Sequence, residues 1–522
     1  MFRSLVRAMA SPRTAAVAIL SFSSGLPLGL VWIAIPDWMR DIGVDIRVVG
    51  LFSLAQAPWA FKVIWSPLMD RYVPPFWGRR RGWMALTQIA LGVLGLVLAG
   101  VGNRPEAIWV VGAIALAAGV AAASQDIAYD AYAVEVLRRD EQGVAVGART
   151  ALYRAAMLIS GGVAISAAAR IGWPAVNVLL AVCYLPMLAM TWKAPEPEVT
   201  PVAPRTLRDA VWLPFIEMLA RPRSLEILAF VVLYKLADNL SQALTRPFLN
   251  DLGYTADHRG FALATVGVFA TVAGAVVGGW VTTLAGLGHS LWIFGFLQVF
   301  SNIGYWLIAY VGVPNLPLMY GATSFEMLTS GMGTGAFGVL LLRLTEKRFS
   351  ATQYALFTSL FALPRVMAGP IAGLAVDAMG WAPFYLATMV VGIPGLLMLA
   401  RFVPLGAREP RLESAEVSAD EIAHPVINPG GGLSHLVTRG AATTLVTLIG
   451  SSALVALMAA IDTMRRERTS TLGFGSAWAS VWQPHGIDGW LQVVSLVAFS
   501  IACGLGAVAM AAARRRGIRP AR

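Results

Sequence analysis

Trp83 to Gly102 reads WMALTQIALGVLGLVLAGVG, twenty residues without a charge. The run lacks the alternation of polar and apolar positions that a barrel strand requires. A bilayer core about 30 Å thick is crossed by about 20 apolar residues in a helix. Lipid offers no water to backbone groups, so only helices and closed barrels can span it. The run is therefore read as a membrane-spanning helix, and runs of the same kind recur along the chain. Composition agrees: the 522 residues are 57% hydrophobic and 13% charged, with a mean hydropathy of +0.67. A soluble domain carries roughly 25% charged residues. The fold class is an all-α membrane protein.

Outward from that run, spans fall at about 14–35, 47–68, 83–102, 107–128, 145–169, 174–192, 224–244, 261–284, 289–311, 317–342, 352–376 and 380–403. A polar segment at 193–223, holding Pro195, Pro197, Pro201 and Pro204, splits them six and six. Within it, Leu207 to Leu219 mixes Trp212, Phe215 and Ile216 with charges, as an amphipathic interfacial helix would. A second polar stretch, 404–437, precedes two more apolar runs, about 440–461 and 489–511, for about fourteen spans in all. The expected divisions are a six-helix bundle at 1–192, a cytoplasmic linker at 193–223, a second bundle at 224–403, a polar linker at 404–437, and two additional helices with a basic tail at 438–522. Arg3, Arg7 and Arg13 before the first run superficially resemble a signal peptide; the run is full-span length, so an uncleaved first helix is expected.

The halves echo each other. Asp140 to Trp173 reads as a loop, an apolar helix with Tyr153-Arg154, then Ile171-Gly172-Trp173. Glu346 to Trp381 reads as a loop, an apolar helix with Pro364-Arg365, then Met379-Gly380-Trp381. Two parallel six-helix repeats are the signature of the major facilitator architecture, which holds its substrate between the halves at mid-membrane.

The net charge of +11 is read as loop bias rather than a nucleic-acid surface, because Lys and Arg cluster between spans. Arg71, Arg79, Arg80, Arg81, Arg138, Arg139, the central linker and Arg343 to Arg348 fall on one side, which is expected to be cytoplasmic, with both termini there. Arg465, Arg466 and Arg468 resist this scheme, since fourteen spans would put them on the other side. Cys183 and Cys503 lie in apolar runs and make no disulfide framework. The five histidines have no metal spacing, and no phosphate-binding Gly-x-x-x-x-Gly-Lys occurs. No enzyme, metal site or cofactor is expected.

The loop Ser66-Pro67-Leu68-Met69-Asp70-Arg71-Tyr72, followed by Gly78-Arg79-Arg80-Arg81-Gly82, is the strongest motif. Asp70 has no use as a membrane anchor. With Arg71, Arg79 and Arg80 it is expected to form a gate latch, Asp70 engaging a helix end or a basic residue. Ionisable groups inside spans cost about 2.5–3.5 kcal/mol each on insertion scales, so they tend to face a cavity or a partner. Asp126 and Asp130, four apart on one helix face, are the expected proton-coupling pair, with Asp130 alternatively pairing Arg138 or Arg149. Gln125, Tyr129, Tyr153, Arg154, Lys235, Asp238, Glu326 and Arg365 are the expected substrate-binding residues. Arg154 could meet Asp126 or a substrate carboxylate, Lys235 and Asp238 could neutralise each other, and Glu326 could pair Arg365.

The segments Ser23-Ser24-Gly25-Leu26-Pro27, Ile64 to Tyr72, Gly78 to Trp83, Ser124-Gln125-Asp126-Ile127, Asp130-Ala131-Tyr132, Leu233-Tyr234-Lys235-Leu236, Gly331-Met332-Gly333-Thr334 and Arg348 to Leu356 resemble the AmpG-type muropeptide permeases of the major facilitator superfamily. The loop motif departs from the superfamily pattern by the Val73–Trp77 insertion and by Ser66 in place of glycine. The resemblance implies proton-driven import of anhydro-muramyl peptides across the bacterial inner membrane for peptidoglycan recycling, with a bearing on β-lactamase induction and antibiotic resistance. Its partners would be a sugar-peptide substrate, protons and the bilayer, with the protein a monomer and no nucleic acid. Two alternatives stay open: a transporter of acetyl-coenzyme A or another anionic metabolite, and a non-transporting receptor or scaffold.

Overall fold

The computed structural model describes residues 2–44, 55–102, 104–198, 202–204, 206–220, 223–410, 433–467, 473–484 and parts of 489–511. Residues 45–54 of the second expected span, Cys503, Arg468 and the tail arginines lie outside the described residues, as do the side chains of Arg465 and Arg466. The chain forms two units, residues 1–211 with 225–412, and residues 212–224 with 413–522.

Among the described residues the first unit holds the short helix Phe2–Met9 and twelve longer helical segments: α1 Pro12–Asp41, α2 at 57–71, α3 Arg79–Val101, α4 Ile108–Val136, α5 Gln142–Ile171, α6 Trp173–Lys193, α7 Ser224–Asp251, α8 Ala256–Ala285, α9 Leu287–Val311, α10 Leu316–Leu344, α11 Ser350–Met379 and α12 Trp381–Phe402. Ten of them are long and apolar enough to cross a membrane, as is Thr438–Leu457 of the second unit. Several overrun the apolar runs read from sequence. α4 and α10 continue to Val136 and Leu344, because polar residues at their ends find partners within the protein rather than marking a boundary.

The repeat is visible in the caps. Gly172 (φ 81°) and Gly380 (φ 78°) take a left-handed backbone between α5 and α6 and between α11 and α12, a conformation glycine adopts without a Cβ clash. Each is followed by a tryptophan at the next helix start. Trp173 stacks on Trp38 of α1 with ring centroids 5.5 Å apart. Trp381 lies 5.0 Å from Phe248 of α7. These aromatic pairs sit in the two apolar cores, at the end of the unit away from the basic loops.

Three helices contain a π turn, at Leu30–Ala34, Ile159–Val163 and Phe261–Val266, a distortion that often marks functional sites. α7 is broken outright: it unwinds at Tyr234 and Lys235 between the helical stretches Ser224–Leu233 and Leu236–Ala243. The halves meet closely where α5 and α8 cross. A Cβ on Gly143 would stand 2.5 Å from the Gly279 carbonyl oxygen, so only glycine fits there.

In the second unit Leu433–Glu467 is one 35-residue helix, longer than the apolar run 440–461. The short helix Phe474–Val481 turns back on it, with Trp478 Nε1 donating to Ser452 Oγ at 3.2 Å. The linker is helical over Leu207–Ala220.

Candidate functional site

Among the described residues of the first unit, four groups of ionisable side chains stand out. The first closes the basic side. Asp70, fully buried, ends α2 and reaches the first turn of α11 in the other half. Its Oδ2 accepts from Thr352 N (2.9 Å) and Thr352 Oγ1 (2.7 Å), and its Oδ1 accepts from Ala351 N (3.3 Å). Helix N-termini leave their first N–H groups without partners and carry a partial positive charge, so a carboxylate there satisfies both. Arg79 (2.9 Å) and Arg80 (2.6 Å) donate to Asp70 Oδ1 from the start of α3. Arg80 also donates through Nε to Glu135 Oε1 of α4 at 2.7 Å, and Ser350 Oγ donates to the same oxygen at 2.5 Å. Two acids and two bases thus neutralise each other within the amino-terminal half, and hydrogen bonds to Ser350, Ala351 and Thr352 tie the cluster to the other half. Arg71 stands outside this cluster, its guanidinium over the Tyr72 ring at 5.5 Å.

The second group lies in the amino-terminal half. Asp130 is held by Arg149 of α5 (2.7 Å) and Lys62 of α2 (3.7 Å); its partner is not Arg138, which pairs with Glu198. Arg149 also covers the Tyr129 ring at 5.1 Å. Asp126, one turn before Asp130 and buried, accepts from Trp59 Nε1 at 3.1 Å and feels the Lys62 charge. It does not meet Arg154. Gln125 Nε2 donates to Ser23 Oγ at 2.5 Å and Tyr129 Oη donates to the Val17 carbonyl at 2.7 Å within this half, while the Gln125 amide oxygen is buried without a donor. Two acids and two bases again balance.

The third group lies at the break in α7. Lys235 Nζ donates to Asp238 Oδ2 (2.8 Å) and to the Ser330 carbonyl (3.3 Å). Ser330 Oγ donates to Asp238 Oδ2 at 2.8 Å. Gln242 Nε2 reaches Asp238 Oδ1 (3.3 Å), Ser330 Oγ (3.1 Å) and Glu326 Oε1 (2.7 Å). Glu326 is fully buried and its Oε2 has no donor. The expected Glu326–Arg365 pair does not form. α10 places Glu326 inward beside α7, while Arg365 on α11 is exposed. Here two acids face one base.

The fourth group is Arg154 on α5 and Arg365 on α11, from opposite halves. Neither has an ion pair or hydrogen bond among the described residues, and Arg365 is close enough for its charge to act on Arg154. Tyr153, half-buried, lies within electrostatic reach of both Asp126 and Arg154. Two bases here face no acid.

Residues 17–368 match the family described as Major Facilitator Superfamily. The anhydromuropeptide permease of Escherichia coli strain K12 is 41% identical over 396 residues, covering 76% of this chain and 80% of that protein. The chain belongs to the Major Facilitator Superfamily, in its AmpG-type permease branch. Among solved structures, a bacterial homologue of the iron transporter ferroportin in its outward-facing state superposes with a TM-score of 0.58 at 12% identity, covering 74% of this chain and 98% of that one. The proton:xylose symporter XylE superposes with a TM-score of 0.55 at 12% identity, covering 75% and 96%. At such identity the likeness speaks for fold alone. The chain is a multi-pass membrane transporter, and neither its relatives nor its fold are those of enzymes.

Sequence reasoning passed over four residues of this permease's site. Glu135 and Ser350 complete the latch, and Lys62 and Trp59 hold the α4 carboxylates. Glu135 had a signal: two adjacent buried arginines need more than one counter-charge. Lys62 had one too, as a lysine inside an apolar span. Trp59 had none, because an indole in a membrane helix reads equally well as lipid contact.

Proposed function

We propose that this permease imports anhydro-muramyl peptides from periplasm to cytoplasm, coupled to protons, with the basic side cytoplasmic. The observation that carries the cargo class is the Arg154–Arg365 pair. Two uncompensated guanidiniums, one from each half and close enough for their charges to act on each other, repel, and an anion that joins them removes that repulsion. Guanidinium suits carboxylates in particular, through paired N–H donors in a fixed fork. A muropeptide brings free carboxylates on its peptide, and the E. coli relative's name supports that choice among anions.

In this reading the latch at Asp70 keeps the cytoplasmic face shut while substrate enters from the periplasm between Arg154 and Arg365. Tyr153 lines the same space, and the break in α7 supplies a hinge. Binding an anion removes the repulsion between the two arginines and draws the halves together at their level, which favours release of the latch on the other side. Alternating access then carries the ligand inward.

Uptake of labelled anhydromuropeptide into proteoliposomes, with and without an inward proton gradient, tests the proposal. Gradient-dependent accumulation is expected. Equal uptake without the gradient sinks the coupling, and tighter binding of acetyl-coenzyme A than of the muropeptide sinks the cargo.

A further inference from the structure

The four charge groups differ in balance, and the imbalances point to ligands. The latch has Asp70 and Glu135 against Arg79 and Arg80. The α4 group has Asp126 and Asp130 against Lys62 and Arg149. Both close within themselves. The α7–α10 group has Asp238 and Glu326 against Lys235 alone, leaving one negative charge over in a dry helix interior. An isolated buried ion costs several kcal/mol even after relaxation, so this charge needs a partner that is not on the chain.

Donor counting identifies the partner. The Gln242 amide has two hydrogens and three acceptors in reach: Asp238 Oδ1, Ser330 Oγ and Glu326 Oε1. The Ser330 hydroxyl hydrogen and one Lys235 hydrogen go to Asp238 Oδ2. Glu326 Oε2 is left without any donor, and the Glu326 carboxyl lies within hydrogen-bonding reach of Asp238. One missing hydrogen and one surplus negative charge at the same place are both supplied by one proton.

Among the described residues the surroundings offer no other cation. α7 presents Lys235 and Asp238, α9 presents the Tyr305 hydroxyl and α12 the Tyr385 hydroxyl. Against α8, this stretch of α10 packs through Thr271 and glycines, and α5 meets α10 only further on, at Gly338. Among the described residues Arg365 of α11 makes no pair with Glu326. Toward the start of α10 the next titratable groups are Tyr320 of α10 and His258 of α8, hydrogen-bonded to each other at 3.1 Å.

We propose that Glu326 and Asp238 share a single transported proton beside Lys235, making the carboxyl-terminal half, rather than Asp126 and Asp130, the proton site of the permease. The proposal rests on the proton-coupled reading above. Its route is legible too. Glu326 is ten residues from the start of α10, about 15 Å from that end. The hydroxyls of Thr323, Tyr305 and Tyr385, all buried without a partner, lie around it. With the basic side latched, H⁺ enters from the opposite side, binds a Glu326 carboxylate oxygen, and leaves as H⁺ once the access changes. No electron or covalent bond other than O–H is involved. Lys235 sits on the break in α7, so movement there alters how strongly Asp238 competes for the proton.

Infrared spectroscopy of the purified full chain in nanodiscs reads the site without any substrate. The wild type should show the carbonyl stretch of a protonated carboxylic acid that disappears as pH rises. Glu326→Gln should remove it. Asp238→Asn should remove it as well, since Glu326 would then be ionised opposite Lys235. Asp126→Asn should leave it unchanged. In proteoliposomes, Glu326→Gln should keep substrate exchange while accumulation falls to the level seen without a gradient. A band that survives Glu326→Gln, or that is lost in Asp126→Asn, overturns the assignment. So does uphill accumulation by Glu326→Gln. Failure of muropeptide uptake in the wild type with the infrared result intact would fault the cargo and leave the proton site standing.

Discussion

Asp70 of α2 accepts the backbone N–H of Thr352 at 2.9 Å, so a carboxylate of one half caps a helix of the other. No apolar contact could tie the halves in this way and still separate cleanly, because the capped donors and the released carboxylate both return to water when the halves part. The hydrogen bonds from Arg79 and Arg80 keep that carboxylate aimed.

Asp70→Asn should therefore unlatch the basic side. The amide cannot serve both arginines, and removing one member of a buried ionic group costs about 3–5 kcal/mol. Spin labels placed on the α2–α3 and α10–α11 loops should report a longer distance than in wild type. Thr352→Val, which removes one hydroxyl donor and leaves the N–H, should lengthen it less, at about 1 kcal/mol. Unchanged distances in Asp70→Asn would mean that the latch is held elsewhere.

A second seam lies beside the latch, where Gly143 and Gly279 touch backbone to backbone. Gly279→Val should hold the basic side ajar in the same spin-label measurement even though no charge is altered, since overpacking costs typically about 1–3 kcal/mol. If the valine variant closes normally, α8 has room to shift and the seam is not a determinant of closure.

How far the sequence could be read depended on the kind of force involved. The spans were legible because each must satisfy its backbone alone in lipid, a constraint written into local composition. Asp70 was legible because a charge between apolar helices has no cheap local use. The pairings were not. Arg154 on α5 and Asp126 on α4 share a half yet do not meet, and Glu326 and Arg365 point to different places. Those choices depend on helix rotation and on breaks such as Tyr234-Lys235, which arise from packing between helices far apart in sequence. Lys62 in α2 shows the same limit, because its partner Asp130 is set by how α2 lies on α4.

The segment after α6 supplies a pH prediction outside the spans. Glu198 is bridged to Arg13 at 2.7 Å and to Arg138. The Arg138 hydrogen bond and charge, helped by Arg13, hold its carboxyl below the usual range. A depressed carboxyl contributes stability above its unfolded pKa and loses it as pH falls through the folded one. Measured against the intrinsic exchange rate at each pH, protection of the amides in residues 194–198 should fall on acidification below the ordinary carboxylate range. Glu198→Gln should exchange fast at every pH. Because these groups are exposed the effect on overall stability should be small, and an acid response that persists in Glu198→Gln would assign it to another group.

The arginine pair gives the sharpest test of cargo chemistry. If Arg154 and Arg365 each donate to a substrate carboxylate, replacing either with alanine removes a hydrogen bond to a charged group, worth about 1.5–3 kcal/mol. Binding of an anhydromuropeptide should then weaken about 10- to 100-fold. Lysine at either position should recover part of that loss through charge but not the paired geometry. The double alanine variant should lose less than the sum of the two, because removing one arginine also relieves its repulsion of the other. A substrate analogue with its carboxylates amidated should bind the wild type weakly and be indifferent to both substitutions. Isothermal titration against the intact and amidated ligands separates the cases. If alanine at either position weakens binding of the amidated analogue, relative to wild type, by as much as it weakens binding of the acid, the arginines shape the cavity rather than read the anion.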